Sequence, residues 1–287
     1  MGMDRGGPYP RPADLAPGDV SATDFDWSEL TLRRVIGPTD PEFAAAYDYL
    51  WHEFGPRGEM ERRPVIVERL GWDPGCPDGA TALLYEMLAV RRGDELVAVR
   101  DHTAVVPLDA RGRPRRIPTV VHLSHVLIGP SHRGTGLAAW LRALPLEAAR
   151  RCMRGCRQAS DTPVVLVAEM EHPVDGDMDR LRRLRSYERA GFQKVDPAAA
   201  PYAQPDFRSV EEIDAAAPVS VPLALIIRRV GRERESHVPA DELAAIVDAI
   251  YAVYARHVPA RAIEPLRAEA AAWTARQRQV RLLRPTA

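Results

Sequence analysis

The alternation of apolar and polar positions divides the chain into a short irregular lead-in and a long region of regular elements. Residues 1–30 are rich in Pro, Gly and Asp and show no sustained hydrophobic period, which is typical of a tail or a loosely packed lead-in. Apolar residues then recur over Thr31–Ile36, which predicts a strand. Helical spacing over Asp40–Phe54 predicts a helix with four apolar side chains on one face: Phe43, Tyr47, Leu50 and Trp51.

Four further strands are predicted in the middle of the chain. A Gly-Asp step that suits a hairpin joins Ala82–Val90 to Glu95–Val106, and Thr119–Ile128 follows. The continuous apolar run Pro163–Glu169 is typical of a strand buried on both faces. A helix is predicted between the last two strands, and Pro145 inside it predicts a kink or a split. The apolar residues at helical spacing in this helix are Leu137, Leu141, Leu144 and Ala148.

The last third of the chain continues with both kinds of element. A helix over Met178–Arg189 precedes a short strand at Phe192–Val195. After the long Pro- and Ala-rich connection Asp196–Ser220, Val221–Val230 is predicted as the last strand. Two helices separated by a proline are predicted for the remaining residues: Asp241–His257 and Arg261–Gln279.

This order of elements predicts a mixed α/β fold of the α+β-like kind, with a central mixed sheet flanked by helices. We expect a lead-in at 1–30, one domain at 31–230 and a C-terminal helical extension at 231–287. The apolar stripe of the extension needs a partner surface. Packing on the same domain is favoured, and covering a cleft or joining two subunits into a homodimer are the alternatives.

Composition narrows the class of protein. Of 287 residues, 46% are hydrophobic and 28% charged, and the formal net charge of −1 disfavours a strongly cationic nucleic-acid binder. No apolar run approaches the roughly 18 residues that a membrane-spanning helix requires. The first twelve residues lack the apolar core of a secretory signal. Three cysteines are too few for a disulfide framework, so we expect a reducing, cytoplasmic environment.

The stretch from Ile128 to Ala138 joins a predicted strand to a predicted helix and is the most informative part of the sequence. Gly134 and Gly136 let the backbone turn tightly and let a ligand approach its N–H groups. Unpaired N–H groups at a helix start attract anions, so a pyrophosphate is the natural guest. On glycine spacing alone, a turn that merely needs glycine is an equally good interpretation. The stretch lacks the glycine pattern of dinucleotide-binding folds and the lysine of the P-loop.

This stretch resembles the acyl-CoA-binding signature of the GNAT superfamily of N-acyltransferases. The signature is R/Q-x-x-G-x-G/A, usually preceded by V-x-P, and its positions are filled here by Arg133, Gly136 and Ala138, with Ile128 and Pro130 for V-x-P. A second segment, Tyr187-Glu-Arg-Ala-Gly-Phe192, resembles the family's Y-x-x-x-G-F, about fifty residues downstream. The resemblance extends over about residues 31–230, and its tight part covers about 120–195.

The resemblance implies a GNAT-type fold and direct transfer of an acyl group, most simply acetyl from acetyl-CoA, to an amine of a small molecule or peptide. A CoA-binding, sensing or interaction module that has lost turnover is the alternative. The residues implied for binding the cofactor, through main-chain N–H groups and the charges of the histidine and arginine, are Leu127, Ile128, His132, Arg133, Gly134, Thr135, Gly136, Leu137 and Ala138. A main-chain N–H near the first two of these would stabilise the oxyanion.

The resemblance also implies catalytic residues. Tyr187 matches the tyrosine that the family often places near the CoA sulfur, and its alternative is a half-buried helix aromatic. His122 lies six residues before the V-x-P equivalent, where histone-modifying members have a glutamate base, and a core histidine is the alternative. Glu169 and Glu171 are rival bases, and a water relay would need neither. Where the family often has an asparagine seven residues before the tyrosine, this chain has Arg180.

The remaining polar residues give weaker indications. Cys152 and Cys156 share a helix face but have no nearby histidine pair, so we interpret them as packing residues and predict no metal. The acceptor is expected between the loop after the first helix and the long connection before the predicted last strand. In these loops, four residues would suit a cationic acceptor: His52, Glu53, Glu59 and Glu61. Tyr202 and Phe207 could cover the bound acceptor. The alternative is that these loops are merely exposed to solvent.

Overall fold

A computed structural model describes residues 12–19, 27–174 and 176–287. The strands are β1 (Leu30–Arg34), β2 (Thr81–Arg92), β3 (Glu95–Pro107), β4 (Thr119–Ile128), β5 (Val164–Met170), β6 (Gln193–Val195), β7 (Ala203–Gln204), β8 (Val221–Pro222), β9 (Ala224–Arg229), β10 (His237–Pro239) and β11 (Gln279–Leu283). The helices are α1 (Pro41–Phe54), α2 (Arg63–Arg69), α3 (Leu137–Ala143), α4 (Pro145–Gly155), α5 (Met178–Arg189), α6 (Val210–Ala216), α7 (Ala240–Tyr254) and α8 (Ala260–Arg276).

Nine of these strands form one sheet, in the order β1-β2-β3-β4-β5-β9-β6-β11-β10, while β7 and β8 pair separately. Every neighbouring pair in the large sheet is antiparallel except β4 and β5, which are parallel. The core on one face of the sheet is formed with α1, α2, α7 and α8, and the core on the other face with α3, α4 and α5. The mixed α/β fold predicted from the sequence is therefore confirmed.

The two parallel strands separate part-way along their length. Their pairing runs from Thr119 opposite Val164 to His122 opposite Val167. Beyond that point β4 continues to Ile128 beside β3 alone, and β5 continues beside β9. The sheet consequently opens between β4 and β5, and main-chain groups of β4 face the opening.

Local sequence signals account for the elements around this opening. The Asp40 side chain accepts a hydrogen bond from the Glu42 N–H and begins α1. Pro145 occupies the first turn of α4, so the predicted helix is split there into α3 and α4. Gly191 adopts a φ of +78° directly after α5, a conformation that glycine tolerates best.

The C-terminal part of the chain differs from the prediction. The strand ending at Arg229 is not the last one, because β10 and β11 follow it and β11 pairs with β6 in the large sheet. The second predicted helix ends at Arg276 rather than Gln279, which begins β11. In β11, exposed Gln279 and Arg281 alternate with buried Val280 and Leu282, and this five-residue pattern is too short to separate a strand from the end of the preceding helix by periodicity. The apolar stripe of α7 packs on this sheet, as the favoured interpretation predicts.

The lead-in is described only in part, since residues 1–11 and 20–26 lie outside the described ranges. Within 12–19, Leu15 and Ala16 are buried against the domain. Trp27, next to the second gap, stacks on Trp140 of α3 with 5.3 Å between the ring centroids. No helix within the described ranges is long and apolar enough to cross a membrane.

Candidate active site

The loop between β4 and α3 presents unpaired main-chain donors. Gly134 and Gly136 have φ of +79° and +74°, in the left-handed region that favours glycine. The N–H groups of residues 134–138 donate to no acceptor in the described part of the chain. A Cβ added to Gly134 would meet no atom within 4 Å, so the loop is open on that side. The predicted anion-binding geometry is therefore present in the backbone.

A cleft of about 290 Å³ lies beside this loop, between α3 and α5. Of the residues predicted for the cofactor, six line it: Ile128, His132, Arg133, Gly134, Gly136 and Ala138. Three others do not: Leu127 packs on the opposite face of the sheet, Leu137 is buried in the core, and the Thr135 hydroxyl donates to the His132 carbonyl oxygen. The predicted role of their main-chain groups stays a prediction.

Five residues that the sequence analysis missed also line the cleft: Gly18, Asp19, Ala139, Arg142 and Ser186, together with Arg189 of the Y-x-x-x-G-F segment. Arg142 donates to both oxygens of Asp19, with 2.8 Å between Nη2 and Oδ1, and also to the Ser186 hydroxyl. Asp19 comes from a lead-in with no periodic pattern, so no local signal indicated this pair. Arg142 follows the first motif on α3 and Arg189 occupies a variable position of the second, so neither motif singled them out.

The opening between β4 and β5 contains a cluster of four polar side chains. His122 Nε2 lies 2.9 Å from Glu169 Oε2, and the two residues come from the strands that separate there. The Tyr202 hydroxyl donates to Glu169 Oε1 at 2.5 Å, and the Tyr254 hydroxyl donates to Glu169 Oε2. Tyr254 belongs to α7, which sequence analysis placed in a separate extension. Two residues predicted as rival bases, His122 and Glu169, are thus hydrogen-bond partners.

The electrostatics of this cluster favour an ionised carboxylate. Burial raises the pKa of Glu169, but hydrogen bonds from His122, Tyr202 and Tyr254 outweigh it, so the pKa lies below its usual value. Burial and the neighbouring carboxylate raise the pKa of both tyrosines, which therefore remain donors. If Nε2–H is donated to Glu169, the proton-accepting atom of His122 is Nδ1, which lies 3.5 Å from the Ser124 hydroxyl oxygen.

Tyr187 lies on the other side of the opening. Its ring contacts Phe192 edge-to-face at 5.0 Å, within the core that α4 and α5 form on their face of the sheet. The Arg142 guanidinium lies 5.9 Å from the centre of the Tyr187 ring. Tyr187 and the His122–Glu169 pair consequently occupy opposite faces of the sheet, with the opening between them.

A bulge in β4 corrects one detail of the sequence analysis. Alternation along a regular strand predicts His122 and His125 on opposite faces. The pairing of β3 with β4 shifts between Asp101 and Thr103, which inserts an extra residue into β4 before His125. Both histidines therefore lie on the same face, the one that α1 and α7 cover.

His125 forms a buried ion pair that anchors the loop after α1. Its Nδ1 lies 2.9 Å from Asp101 Oδ1, its Nε2 lies 2.9 Å from the Glu59 carbonyl oxygen, and Tyr85 donates to Asp101 at 2.8 Å. Despite burial, the Asp101 charge and hydrogen bond raise the pKa of His125 to about 9. His125 lowers the pKa of Asp101 to about 2 against its own burial. All polar atoms of this pair are satisfied, which indicates a structural role.

The remaining candidates fall into two groups. Glu171 is bound by Arg180 and Arg183 at 2.8 and 2.6 Å, so it holds the segment after β5 and is poorly placed as a base. Cys152 is fully buried in the core, as the packing interpretation predicts. No group of three metal-ligating side chains occurs within the described ranges.

The residues predicted near the acceptor are only partly brought together. Tyr202 joins the Glu169 cluster, and Phe207 contacts the Tyr254 ring at 5.1 Å. Glu61 forms a buried ion pair with Arg69, whereas Glu53 pairs with exposed Arg57 and His52 is exposed. Glu59 has no ion-pair partner among the described residues, and burial raises the pKa of its carboxyl.

No protein-family model matches the chain, and no curated protein matches it. A structural match to an acetyltransferase from Streptococcus agalactiae covers 71% of this chain and 99% of that protein, at 9% identity and a TM-score of 0.39. The chain is also similar, over 69% of its length, to 99% of an acyl-CoA N-acyltransferase from Pseudomonas aeruginosa, at 20% identity and a TM-score of 0.36. A third match covers 70% of this chain and 99% of a GNAT-family acetyltransferase from Streptococcus pneumoniae, at 14% identity and a TM-score of 0.36.

Two of these solved structures are described as acetyltransferases and the other as an acyl-CoA N-acyltransferase. At these identities and TM-scores the similarity assigns this chain no activity, acyl donor or acceptor. Those depend on the residues of the site.

Proposed function

We propose that this protein is an acyl-CoA-dependent N-acyltransferase that transfers an acyl group, most simply acetyl, directly to an amine. The observation that carries the proposal is the cleft between α3 and α5. It combines five free main-chain N–H groups with basic side chains beside one acid, Asp19. Those basic side chains are His132, Arg133, Arg142 and Arg189. This combination suits the diphosphate of CoA.

The opening between β4 and β5 supports the same function. A CoA molecule held by its diphosphate at the cleft would extend its pantetheine arm along the free edge of β4. Its thioester would then lie between Tyr187 on one face and the His122–Glu169 pair on the other. In that arrangement a proton donor would lie near the leaving sulfur and a proton acceptor near the incoming amine.

Three side chains would take part in the proton transfers of this reaction: His122, Glu169 and Tyr187. His122 accepts a proton from the acceptor ammonium, and Glu169 stabilises the imidazolium that forms. The amine nitrogen forms a bond to the thioester carbon as the C–S bond breaks and the electron pair leaves with sulfur, and the acylated nitrogen releases its second proton to solvent. Tyr187 donates a proton to that sulfur and is reprotonated from solvent. The products are an amide and free CoA thiol.

The acceptor is proposed to be a cationic amine of a small molecule or peptide. Glu59 supports this, because its partly buried carboxyl forms no ion pair among the described residues, although the charges of Arg57 and Arg183 act on it. Tyr202 and Tyr254 cover the His122–Glu169 pair and would exclude water from it. On this proposal the acceptor would approach the opening from the face on which Glu59 and the His122–Glu169 pair lie.

Release of CoA thiol tests this function. Acetyl-CoA would be incubated with amino acids, polyamines, aminoglycosides and peptides, and the thiol would be measured with and without each amine. We expect amine-dependent release with at least one class, and a Tyr187→Phe variant with a strongly lowered kcat and little change in KM. CoA binding without amine-dependent release would favour the sensing module instead.

A further inference from the structure

Arg100 of β3 is a buried cation that forms no ion pair with a carboxylate in the described part of the chain. Its side chain is 0% exposed, and none of its three guanidinium nitrogens has a hydrogen-bond acceptor among the described residues. Burying an unpaired charge is strongly unfavourable, so buried arginines normally contact a carboxylate or a carbonyl oxygen. Such an arginine is therefore a candidate for binding an anionic group that arrives later.

The position of Arg100 connects it with the proposed reaction. Arg100 pairs in register with Val126, in the part of β4 that lies beyond its separation from β5. The Tyr187 phenol of α5 is its neighbour on that face. Arg142 of α3 adds a second guanidinium over the Tyr187 ring. Two cations thus flank the proposed proton donor.

The carboxylates near Arg100 are already engaged. Asp101, its neighbour along β3, is bound by His125 and Tyr85 on the other face of the sheet. His102 is also buried, and burial lowers its pKa, which favours the neutral imidazole, so it supplies no charge to pair with Arg100. Burial lowers the pKa of Arg100 as well, and the electrostatic influence of Tyr187 and Asp101 only partly opposes this.

We propose that Arg100 is a positioning residue that acts with Tyr187 to stabilise the thiolate of CoA as it leaves the thioester. This inference rests on the proposed function and assigns a role that neither sequence motif contains. As the C–S bond breaks, negative charge develops on sulfur, and the phenol proton moves towards it. The guanidinium stabilises that charge through the phenol oxygen, and the charge in turn relieves the cost of burying Arg100.

The ratio of the affinity for CoA to the affinity for desulfo-CoA, which lacks the sulfur, measures how far the site stabilises the thiolate. Both ligands would be titrated into the intact protein by calorimetry between pH 6 and pH 9. If the site favours the thiolate, the affinity for CoA will rise relative to that for desulfo-CoA as pH increases, beginning below the ordinary thiol pKa of about 8.5. Equal pH dependence of the two ligands in the wild-type protein overturns the proposal without any variant.

Two variants then identify Arg100 as the cause. Arg100→Met should lower the CoA-to-desulfo-CoA affinity ratio at pH 8.5 by about tenfold, equivalent to one unit in the pKa of the bound thiol. Arg100→Lys should restore part of the ratio. Because Arg100 has no hydrogen-bond partner within the described structure, the Met variant should melt at the same or a higher temperature.

The outcomes separate this inference from the proposed function. An unchanged affinity ratio in Arg100→Met, or a lowered melting temperature with an unchanged ratio, means that Arg100 is structural and overturns only this proposal. If the wild-type protein binds neither CoA nor desulfo-CoA, both the inference and the proposed function are overturned.

Discussion

Glu169 Oε2 lies 2.9 Å from His122 Nε2, at the point where β4 and β5 cease to pair. The carboxylate also accepts hydrogen bonds from Tyr202 and Tyr254, which come from a connecting segment and from α7. A polar cluster drawn from four separate elements and buried at the opening of a sheet is typical of a catalytic site.

Replacing Glu169 with Gln should reveal whether this pair is catalytic. Glutamine keeps the shape, and its amide oxygen can still accept the His122 N–H, but it has no negative charge to stabilise the protonated imidazole. We expect kcat to fall by about 10²- to 10³-fold with little change in KM for acyl-CoA, measured by thiol release. Glu171→Gln is the matched control, since Glu171 is engaged by two arginines outside the cluster. Equal losses in both variants would remove Glu169 from the mechanism.

The Tyr254 hydroxyl links α7 to catalysis. It donates to the ionised form of Glu169, so its removal in Tyr254→Phe should raise the pKa of that carboxyl by about one unit. The acidic limb of the kcat/KM profile should move to higher pH by a similar amount. Tyr251→Phe is the control, because its hydroxyl donates to the Ala203 carbonyl oxygen instead. Coincident profiles for wild type and Tyr254→Phe would contradict the assignment.

The sequence predicted the elements around the site better than the site itself. β4 and α5 have the predicted bounds, because turn residues mark their ends and apolar periodicity fills them. The cluster at Glu169 depends instead on contacts between residues far apart in the chain, such as Tyr254, 85 positions away. Such contacts leave no local pattern. The bulge before His125 likewise depends on how β4 pairs with β3, so strict alternation misplaced that side chain.

The ion pair of His125 with Asp101 should make stability depend on pH in a defined window. The pKa of His125 is raised to about 9 in the fold. The ion pair therefore contributes fully to the free energy of unfolding below the unfolded pKa of His125, about 6.5, and that contribution is lost as pH rises through 9. The expected loss is about 3 kcal/mol in the free energy of unfolding, measured by urea denaturation. At the acidic end, the contribution of Asp101 should be lost as pH falls from about 4 towards 2.

His125→Asn is the variant that isolates this effect. It should be less stable than wild type at pH 6, because Asp101 then remains buried without its cation. The difference between the two proteins should shrink above pH 9. A constant difference from pH 6 to pH 10 would show that the pair is not ionised in the fold.

Asp19 offsets one of the cleft's positive charges through its ion pair with Arg142. Asp19→Asn should therefore tighten CoA binding by about three- to tenfold at low salt and make the affinity fall more steeply with added salt. Asp14→Asn is the control, because Asp14 pairs with Arg150 and does not line the cleft. Calorimetric titration of CoA at two salt concentrations would detect the change. Weaker binding in Asp19→Asn alone would mean that Asp19 positions Arg142 for the ligand.

CoA titration into two glycine variants tests the binding site most directly. Gly134 and Gly112 both have positive φ, and a Cβ on either would meet no atom within 4 Å, but only Gly134 lines the cleft. Tryptophan at each position therefore introduces comparable backbone strain, and only Gly134→Trp fills the cleft. We expect Gly134→Trp to abolish measurable CoA binding while Gly112→Trp binds as wild type does. Undiminished binding in Gly134→Trp would contradict the assignment of this cleft to CoA.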